Sequence, residues 1–394
     1  MVELKHKNLT KATVLLSSMM TLMAGAIISP ALPSITEAFK DVSNAKLLTQ
    51  MLVTMPALFI AIVAPLAGWY IDKFGRKKLL MSCYLLYAIS GTSGYFCTDL
   101  YSLLVGRVFL GIAVGGIMTT TTTLVGDYFQ DEERVAFMGM QSAFISLGGV
   151  VFISMAGVLA DKHWQAPFLI YLFSIVVFLM AIPYLVEPRR NELERSKSSE
   201  QLPALSAEDV SYRRFPIYFI YCMAFISVVI FYMVPIQMPY VLKAIGVSGS
   251  LIGVAMSTQT LASVVISSNY HRFKARASFP TIYAISFILM AIGYLIVAGG
   301  SSLWHYILGF VISGLGVGFF MPSTNLWAMS LVPPAIRGKI VGRVSAAIFI
   351  GMFFCPIIVQ PVAEKFSPSV AFAAAAGVMG VLFTLVLVLK SKLH

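Results

Sequence analysis

The sequence predicts an all-α membrane protein with twelve transmembrane helices in two pseudo-symmetric six-helix bundles. Three observations predict this fold. First, 58% of the 394 residues are hydrophobic and only 11% are charged, whereas a soluble domain carries about 25% charged residues. Second, twelve apolar stretches each approach the roughly 20 residues that a spanning helix needs. Third, glycines in the two halves of the chain recur at a constant offset.

The twelve predicted spans are separated by polar segments that differ in charge. If the N-terminus is inside, the inner segments hold 22 Lys and Arg residues and the outer loops hold five. Cytoplasmic loops of membrane proteins carry an excess of bases, so we expect both termini in the cytoplasm and a multi-pass chain in the inner membrane. The spans are predicted at 11–33, 47–71, 79–97, 101–126, 135–159, 166–187, 215–237, 250–270, 279–299, 302–328, 339–360 and 369–389.

The first span also has features of a secretory signal peptide. Lys5, Lys7 and Lys11 precede an apolar run that contains small residues at 24–26, and this order is typical of a signal with its cleavage site. The apolar run continues to Leu32, and cleavage would leave an odd number of helices. We therefore favour a spanning helix.

Between the second and third spans lies a charged loop at 68–78, Gly-Trp-Tyr-Ile-Asp-Lys-Phe-Gly-Arg-Lys-Lys. A loop that only sets topology needs bases alone, so Asp72 is unusual. The pattern resembles the loop between helices 2 and 3 of major facilitator superfamily transporters, and the resemblance implies their twelve-helix fold. In that family the matching Asp joins a charge network with the motif's Arg and an acid that ends helix 4. The resemblance therefore implies a conformational network of Asp72, Arg76 and Asp127.

The fourth span contains Arg107, the only charged residue away from the ends of any span. A lone charge inside a membrane is costly and by default suggests function. Its setting, Gly-Arg-Val-Phe-Leu-Gly at 106–111, resembles the R-x-x-x-G motif of helix 4 in the same superfamily. There the Arg is associated with proton transfer or cavity charge. The alternative is a structural Arg tied to backbone carbonyls. The threonines at 119–123 are expected to pack and to bond within their own helix.

The fifth span and the acids bear on the drug:proton antiporter branch of the family, which the chain resembles in Ala-Leu-Pro at 31–33. That branch carries Gly-Pro-x-x-Gly-Gly in helix 5. This chain has Phe-Ile-Ser-Met-Ala-Gly at 152–157, so only Gly157 survives. All 17 Asp and Glu residues lie in loops or at membrane edges. Asp127 is the nearest candidate for a titrating carboxylate, and proton coupling stays open.

A polar stretch at 187–214 divides the spans six and six. We expect an N-terminal six-helix bundle at 1–187, a flexible cytoplasmic linker at 188–214 and a C-terminal six-helix bundle at 215–394. Duplicated halves are typical of a transporter that opens a central cavity to each side in turn. At an offset of 203, the matching pairs include Gly106/Gly309, Gly111/Gly314, Gly115/Gly318, Met118/Met321 and Arg134/Arg337.

The second half repeats the first imperfectly. Its loop at 271–276 keeps bases but has neither Asp nor Gly, so we expect the charge network mainly in the N-terminal half. The segment Pro-Pro-Ala-Ile-Arg-Gly at 333–338 resembles the family's loop between helices 10 and 11. Uncharged polar and aromatic groups suit a broad, weakly polar cavity, although each is more often a helix–helix hydrogen bond or an interfacial aromatic. The substrate-binding candidates are Tyr232, Gln237, Gln259, Asn325 and Trp327.

The sequence also excludes several classes of function. It contains no phosphate-binding Gly-rich loop, no metal-spaced His/Cys cluster and no nucleophile elbow. We therefore expect neither an enzyme nor ATP-driven transport, and no cofactor, catalytic residue or metal site. The formal charge of +11 comes from bases beside membrane spans, which argues against nucleic acid. Four scattered cysteines have no CxxC spacing and are expected to be core residues.

The resemblance implies a secondary active transporter that works by alternating access. We expect a monomer in the lipid bilayer that exports small, hydrophobic or drug-like substrates in exchange for protons. One alternative is a transporter of a specific metabolite or siderophore, in either direction. Another is a membrane sensor or scaffold that transports nothing.

Overall fold

Helices make up the whole regular structure of the described residues. A computed structural model describes residues 6–188, 214–333 and 336–390, and it leaves undescribed the side chains of Asp72, Asp131 and Val135. Within these ranges there is no strand, and eleven helices are long and apolar enough to cross a membrane. The prediction of an all-α membrane protein is confirmed.

The chain divides into two compact units, Met1–Leu202 and Pro203–His394. Nearly all of the predicted linker at 188–214 lies outside the described residues, so its bounds stay a prediction. The first unit contains α1 Lys7–Ala26, α2 Ala45–Phe74, α3 Arg76–Thr92, α4 Leu100–Tyr128, α5 Asp131–Lys162 and α6 Phe173–Tyr184. The second contains α7 Arg214–Ala244, α8 Gly249–Ser268, α9 Phe279–Ala298, α10 Leu303–Ser330, α11 Arg337–Lys365 and α12 Pro368–Val388.

The third predicted span, at 79–97, is shorter than expected. Its helix α3 has 17 residues and ends at Thr92, and a 3-10 turn follows at Ser93–Tyr95. The early end of α3 is explained by the segment that packs against it. This segment is a second 3-10 stretch, Ala166–Leu172, which immediately precedes α6. The rings of Tyr171 and Phe168 occupy the space that a Cβ on Gly91 or Gly94 would need.

The helix ends follow local sequence rules. α4 begins at Leu100 because the Asp99 carboxylate caps it, accepting a 2.8 Å hydrogen bond from the Ser102 backbone N–H. Hydrogen bonds from Ser102 also hold the pKa of the Asp99 carboxyl below its usual range. After α1, Pro30 and Pro33 occupy first-turn positions of a 3-10 turn and of the short helix Leu32–Ala38, where the missing N–H of proline costs nothing.

The two units use the same helix pairs. In the first unit, α1 packs on α5, α2 and α3 pack on α4, and α3 also lies against α6. In the second unit, α7 packs on α11, α8 and α9 pack on α10, and α9 also lies against α12. Each of these pairs of the first unit therefore recurs six helices later, so the duplication extends from sequence to packing.

The offset of 203 also holds for the residues that the repeated glycines touch. A Cβ on Gly111 would overlap the Pro56 carbonyl oxygen of α2, and a Cβ on Gly314 would overlap the Gln259 carbonyl oxygen of α8. Pro56 and Gln259 differ by the same 203 positions as their glycines. Two further pairs of contacts follow the same register. Gly115 touches Val63 where Gly318 touches Ile266, and Gly106 touches Ser90 where Gly309 touches Gly293. The repeat therefore includes α2, α3, α8 and α9, where sequence identity is too low to reveal it.

Candidate functional site

The loop between α2 and α3 carries a buried ion pair. The Arg76 Nε lies 3.1 Å from Asp127 Oδ2 at the end of α4, and the Arg76 side chain is only 6% exposed. Its Nη1 donates to the Ile71 carbonyl oxygen at 3.3 Å. A buried arginine needs such partners because an unpaired charge away from water is costly. Two of the three residues predicted for the charge network, Arg76 and Asp127, are thus in contact.

Glu187, three residues after the end of α6, completes this cluster. Its two carboxylate oxygens accept hydrogen bonds from the backbone N–H groups of Arg76 at 2.7 Å and Lys77 at 2.6 Å. These N–H groups belong to the first turn of α3, where a negative charge is stabilised by the helix dipole. In return, Lys77 Nζ donates to the carbonyl oxygens of Ile182 and Leu185 at the end of α6, both at 2.7 Å.

Gly75 makes this arrangement possible. Its φ of +99° is one that L side chains rarely adopt. A Cβ at this position would lie 2.8 Å from Glu187 Oε1. By contrast, Gly68 has nothing within 4 Å of its Cβ position. Gly75 is therefore the glycine of the motif that the structure requires.

Asp72, the third member of the predicted network, lies in the last turns of α2, and its side chain is outside the described set. Its predicted role stays a prediction. In the second unit, Phe279 occupies the position 203 residues after Arg76 and stacks on Trp327 at 6.0 Å between ring centroids. Aromatic packing thus stands where the first unit has an ion pair.

A second charged contact joins α1 and α5. Glu133 Oε1 lies 2.9 Å from Lys7 Nζ and 2.7 Å from Lys11 Nζ. All three side chains are partly exposed, so the contact is screened by solvent and contributes little to stability. It holds the first turn of α5 against the start of α1, on the same side of the unit as Arg76.

Arg107 is fully buried inside the first unit. Its Nη1 donates to the Tyr171 hydroxyl at 2.8 Å, and its Nη2 donates to the Gly91 carbonyl oxygen at 3.2 Å. The guanidinium carbon lies 4.9 Å from the ring centroids of both Phe168 and Tyr171. Arg107 forms no ion pair with a described carboxylate, and its Nε has no hydrogen-bond partner.

These contacts are consistent with both interpretations of Arg107, the functional one and the structural one, that the sequence left open. A carbonyl partner is what the structural interpretation expects. The functional interpretation expects a guanidinium that can still bind a negative group. The unpaired Nε–H of Arg107 and the lack of an ion pair with a described carboxylate agree with it. The threonines at 119–123 each donate to the carbonyl four residues earlier, so the expected bonding within the helix is confirmed.

Two substrate-binding candidates take part in buried hydrogen bonds. Gln237 of α7 is fully buried, and its Nε2 donates to Gln360 Oε1 of α11 at 2.8 Å. Gln259 of α8 is 3% exposed, and its Nε2 donates to Ser313 Oγ of α10 at 3.1 Å. Both bonds join helices, which is the common role of such residues in membranes. Only Gln237 keeps a buried oxygen, Oε1, without a partner.

The other three candidates differ in exposure. Trp327 is 2% exposed and lies against Phe219, Phe279 and Tyr283 in the core of the second unit. Tyr232 is 7% exposed. Asn325 is partly buried, and its Oδ1 has no hydrogen-bond partner. The structure thus places the five candidates on three helices of one unit, α7, α8 and α10.

An apolar pocket of about 240 Å³ lies between α7, α11 and α12 of the second unit. It is lined entirely by apolar side chains, among them Ile230 and Met233 of α7 and Val359 of α11. Its apolar lining suits a small hydrophobic molecule, and its volume is somewhat below the range of about 300–1,000 Å³ that is common for ligand pockets. Sequence analysis did not identify it, because apolar residues on neighbouring spans look alike whether or not they enclose a space.

Three residues that matter in these sites were missed by sequence analysis. Glu187 was assigned to the edge of the linker, and Gln360 and Glu364 were not singled out. Glu187 contacts residues 111 positions away, so no local pattern reveals the bond. For Gln360 a signal existed, because a polar amide inside a predicted span needs a partner. Among the described residues, no three His, Cys, Asp or Glu side chains are placed to hold a metal ion.

Comparison with known proteins gives a family match over most of the chain. The model of the Major Facilitator Superfamily matches residues 14–238 and, a second time, residues 217–393. Multidrug resistance protein 1 of Bacillus subtilis is 26% identical over 48% of this chain and 48% of its own length. The bacillibactin exporter of the same organism is 23% identical over 85% of each chain. The chain thus aligns with about half of the first relative and most of the second.

Solved structures show the same architecture. The crystal structure of a D-xylose-proton symporter superposes with a TM-score of 0.75, covering 95% of this chain and 97% of the symporter at 15% sequence identity. At that identity the likeness concerns the fold alone.

Proposed function

Because the chain belongs to the major facilitator superfamily, a family of membrane transporters, we propose that it is a secondary transporter that exports small, hydrophobic compounds. The observation that carries the substrate class is the apolar pocket of about 240 Å³ in the second unit. The direction of transport draws on the names of two similar proteins, a multidrug resistance protein and a siderophore exporter. Fold and family are those of transporters and give no support to an enzyme.

The charge cluster of the first unit supplies the conformational part of the proposal. Arg76 and Asp127 form the buried pair, and Asp72 is the third member that we propose. Because a buried pair is strongly destabilised when either charge loses its partner, opening this side of the protein is costly until both charges are solvated. The network would thus hold one state of the alternating-access cycle and would not touch the substrate.

Exchange for protons is the energy source that we propose, since the chain has no nucleotide-binding motif. Asp127 lies at the end of α4 with its charge balanced by Arg76. Arg107, inside the same helix, is the proposed cavity charge. Substrate-induced proton movement in proteoliposomes tests the coupling, and transport that is independent of pH would contradict it.

The site of action that we propose is the inner membrane, with both termini in the cytoplasm and a monomeric chain surrounded by lipid. The excess of bases on the predicted inner segments supports this orientation. Tyr232, Gln237, Gln259, Asn325 and Trp327 stay the proposed substrate-binding residues, and two of them, Gln237 and Asn325, keep a buried oxygen without a hydrogen-bond partner.

The export proposal is tested by dye accumulation. Expression in a host that lacks its own exporters should lower the steady-state accumulation of ethidium several-fold, and an uncoupler should restore it. A variant with Arg107→Ala, expressed to the same level, is the matched control for nonspecific effects of expression, since we expect it to reach the membrane without exporting dye. Unchanged accumulation over a broad panel of dyes, with a fall in uptake of one nutrient, would contradict export.

A specific observation favours a second candidate, a transporter of one metabolite or siderophore. The alignment with the bacillibactin exporter covers 85% of both chains, whereas that with the multidrug resistance protein covers about half. Deletion of the gene would then lower the amount of a siderophore in the medium and leave dye accumulation unchanged.

A further inference from the structure

A chain of three polar side chains runs from the buried centre of the α7–α11 pair to its exposed end. Gln237 Nε2 donates to Gln360 Oε1 at 2.8 Å, and Gln360 Nε2 donates to Glu364 Oε1 at 2.7 Å. Gln237 and Gln360 are 0% and 1% exposed, while Glu364 is exposed. One polar atom of Gln237 remains, the buried Oε1 without a partner.

Glu364 is an unusual residue in this half of the protein. After residue 209 the sequence contains twelve Lys and Arg residues and a single carboxylate side chain, that of Glu364. The basic or imidazole groups near the same ends of the packed helices are Lys243 of α7, His305 of α10 and Lys365 of α11, and none forms an ion pair with Glu364. Glu364 accepts its hydrogen bond from the amide of Gln360.

The chemistry of a carboxylate fixes the direction of the chain. An ionised carboxylate only accepts hydrogen bonds, whereas an amide has one accepting and one donating end. Gln360 must therefore turn its Nε2 towards Glu364 and its Oε1 towards Gln237. Gln237 must then turn its Nε2 towards Gln360, which leaves its Oε1 unpaired. A cation at position 364 would reverse every step and leave an N–H group unpaired.

The face of α7 that carries Gln237 also lines the apolar pocket further along the helix, and Gln237 itself is fully buried and is not among the lining residues. Ile230 and Met233 line the pocket, and Gln237 follows Met233 by four residues, so the three share a face of the helix. An unpaired buried acceptor costs about 1–3 kcal/mol, and a ligand that donates a hydrogen bond removes that cost. A hydrophobic ligand without a donor does not.

We propose that Glu364 orients this amide chain so that Gln237 presents a carbonyl oxygen to a hydrophobic substrate with one N–H or O–H donor. Glu364 is thus a positioning residue and Gln237 the binding residue. The inference rests on the proposed function, since it names the substrate class of the transporter. The inference is tested by measuring binding, whereas the proposed function is tested by measuring transport, so one can fail without the other.

The probes are 1-naphthylamine and N,N-dimethyl-1-naphthylamine. The two share a ring system, but only 1-naphthylamine has N–H donors. Binding of each to the full-length protein in lipid nanodiscs is followed by fluorescence and corrected with empty nanodiscs. The wild type should bind 1-naphthylamine about five- to tenfold more tightly, as one added hydrogen bond to a buried acceptor predicts. Gln237→Leu should bring the two affinities to within about twofold.

The variant Glu364→Lys tests whether Glu364 orients the two amides or only supports the fold. The position is exposed, so the protein should fold, and the ammonium should reverse the amide chain and abolish the preference for 1-naphthylamine. Glu37→Lys makes the same charge change at an exposed acid of the first unit and should keep the wild-type preference. Equal affinities in the wild type, or an unchanged preference in Glu364→Lys, would overturn the proposal whether or not the protein exports dyes.

Discussion

At the scale of single residues, Gly75 and Gly68 of the same motif are expected to respond differently to alanine. Gly75 has a φ of +99°, and a Cβ there would come within 2.8 Å of Glu187 Oε1, while Gly68 has open space around it. Gly75→Ala should lower stability by about 1–3 kcal/mol through the backbone alone, because its φ of +99° and ψ of 162° are adopted almost only by glycine, with an added cost from Glu187. Thermal unfolding of the purified protein in detergent measures the difference.

Gly68→Ala is the matched control, and its melting temperature should equal or exceed that of the wild type because alanine favours a helix. Glu187→Gln should reproduce part of the loss at Gly75, since it weakens the cap of α3. Equal melting temperatures for the two glycine variants would contradict both the backbone cost and the Glu187 contact at Gly75.

Arg107 gives a residue-scale prediction in which stability and transport are measured together. Arg107→Ala should abolish dye efflux while the protein still reaches the membrane. Tyr171→Phe removes one hydrogen bond from the same guanidinium and should cost about 1.5–3 kcal/mol of stability with efflux retained. An Arg107→Ala protein that is folded and active would leave Arg107 with the structural role alone.

At the scale of helices, the duplicated glycine contacts predict duplicated effects. A Cβ on Gly314 would overlap the Gln259 carbonyl oxygen, and a Cβ on Gly111 would overlap that of Pro56. Since backbone atoms cannot move aside easily, Gly314→Ala and Gly111→Ala should each lower stability by about 1–3 kcal/mol. Gly342→Ala, at a helical glycine with nothing within 4 Å, is the control and should have little effect.

The helices also show how far sequence analysis reaches. Long apolar stretches gave the membrane helices, and the repeated glycines gave the duplication, because both depend on local composition. The ending of α3 at Thr92 was not predictable, because it results from Tyr171 and Phe168, which are distant in sequence. Glu187 and the Gln237–Gln360 bond were missed for the same reason. Side chains from separate helices meet only once the bundle has formed.

At the scale of the whole molecule, the charge network should act as one unit. Arg76→Gln and Asp127→Asn should each slow dye efflux, because each leaves a buried charge without its partner. The double variant should be no slower than the worse single variant, since residues in one ion pair are not additive. Initial rates of efflux at matched expression measure this, and additive losses would mean that the two residues act separately.

The orientation that we propose for the whole chain rests on its bases and is open to a direct test. The predicted inner segments hold 22 Lys and Arg residues against five outside, and this bias sets topology because bases are retained in the cytoplasm. In a variant without the four native cysteines, Lys40→Cys and Lys162→Cys should react with a membrane-impermeant maleimide in intact cells. Lys78→Cys and Lys390→Cys, which are also exposed positions, should react only after the cells are opened. Because all four sites are accessible in the folded protein, protection can come only from the membrane, and labelling of Lys78→Cys in intact cells would reverse the orientation.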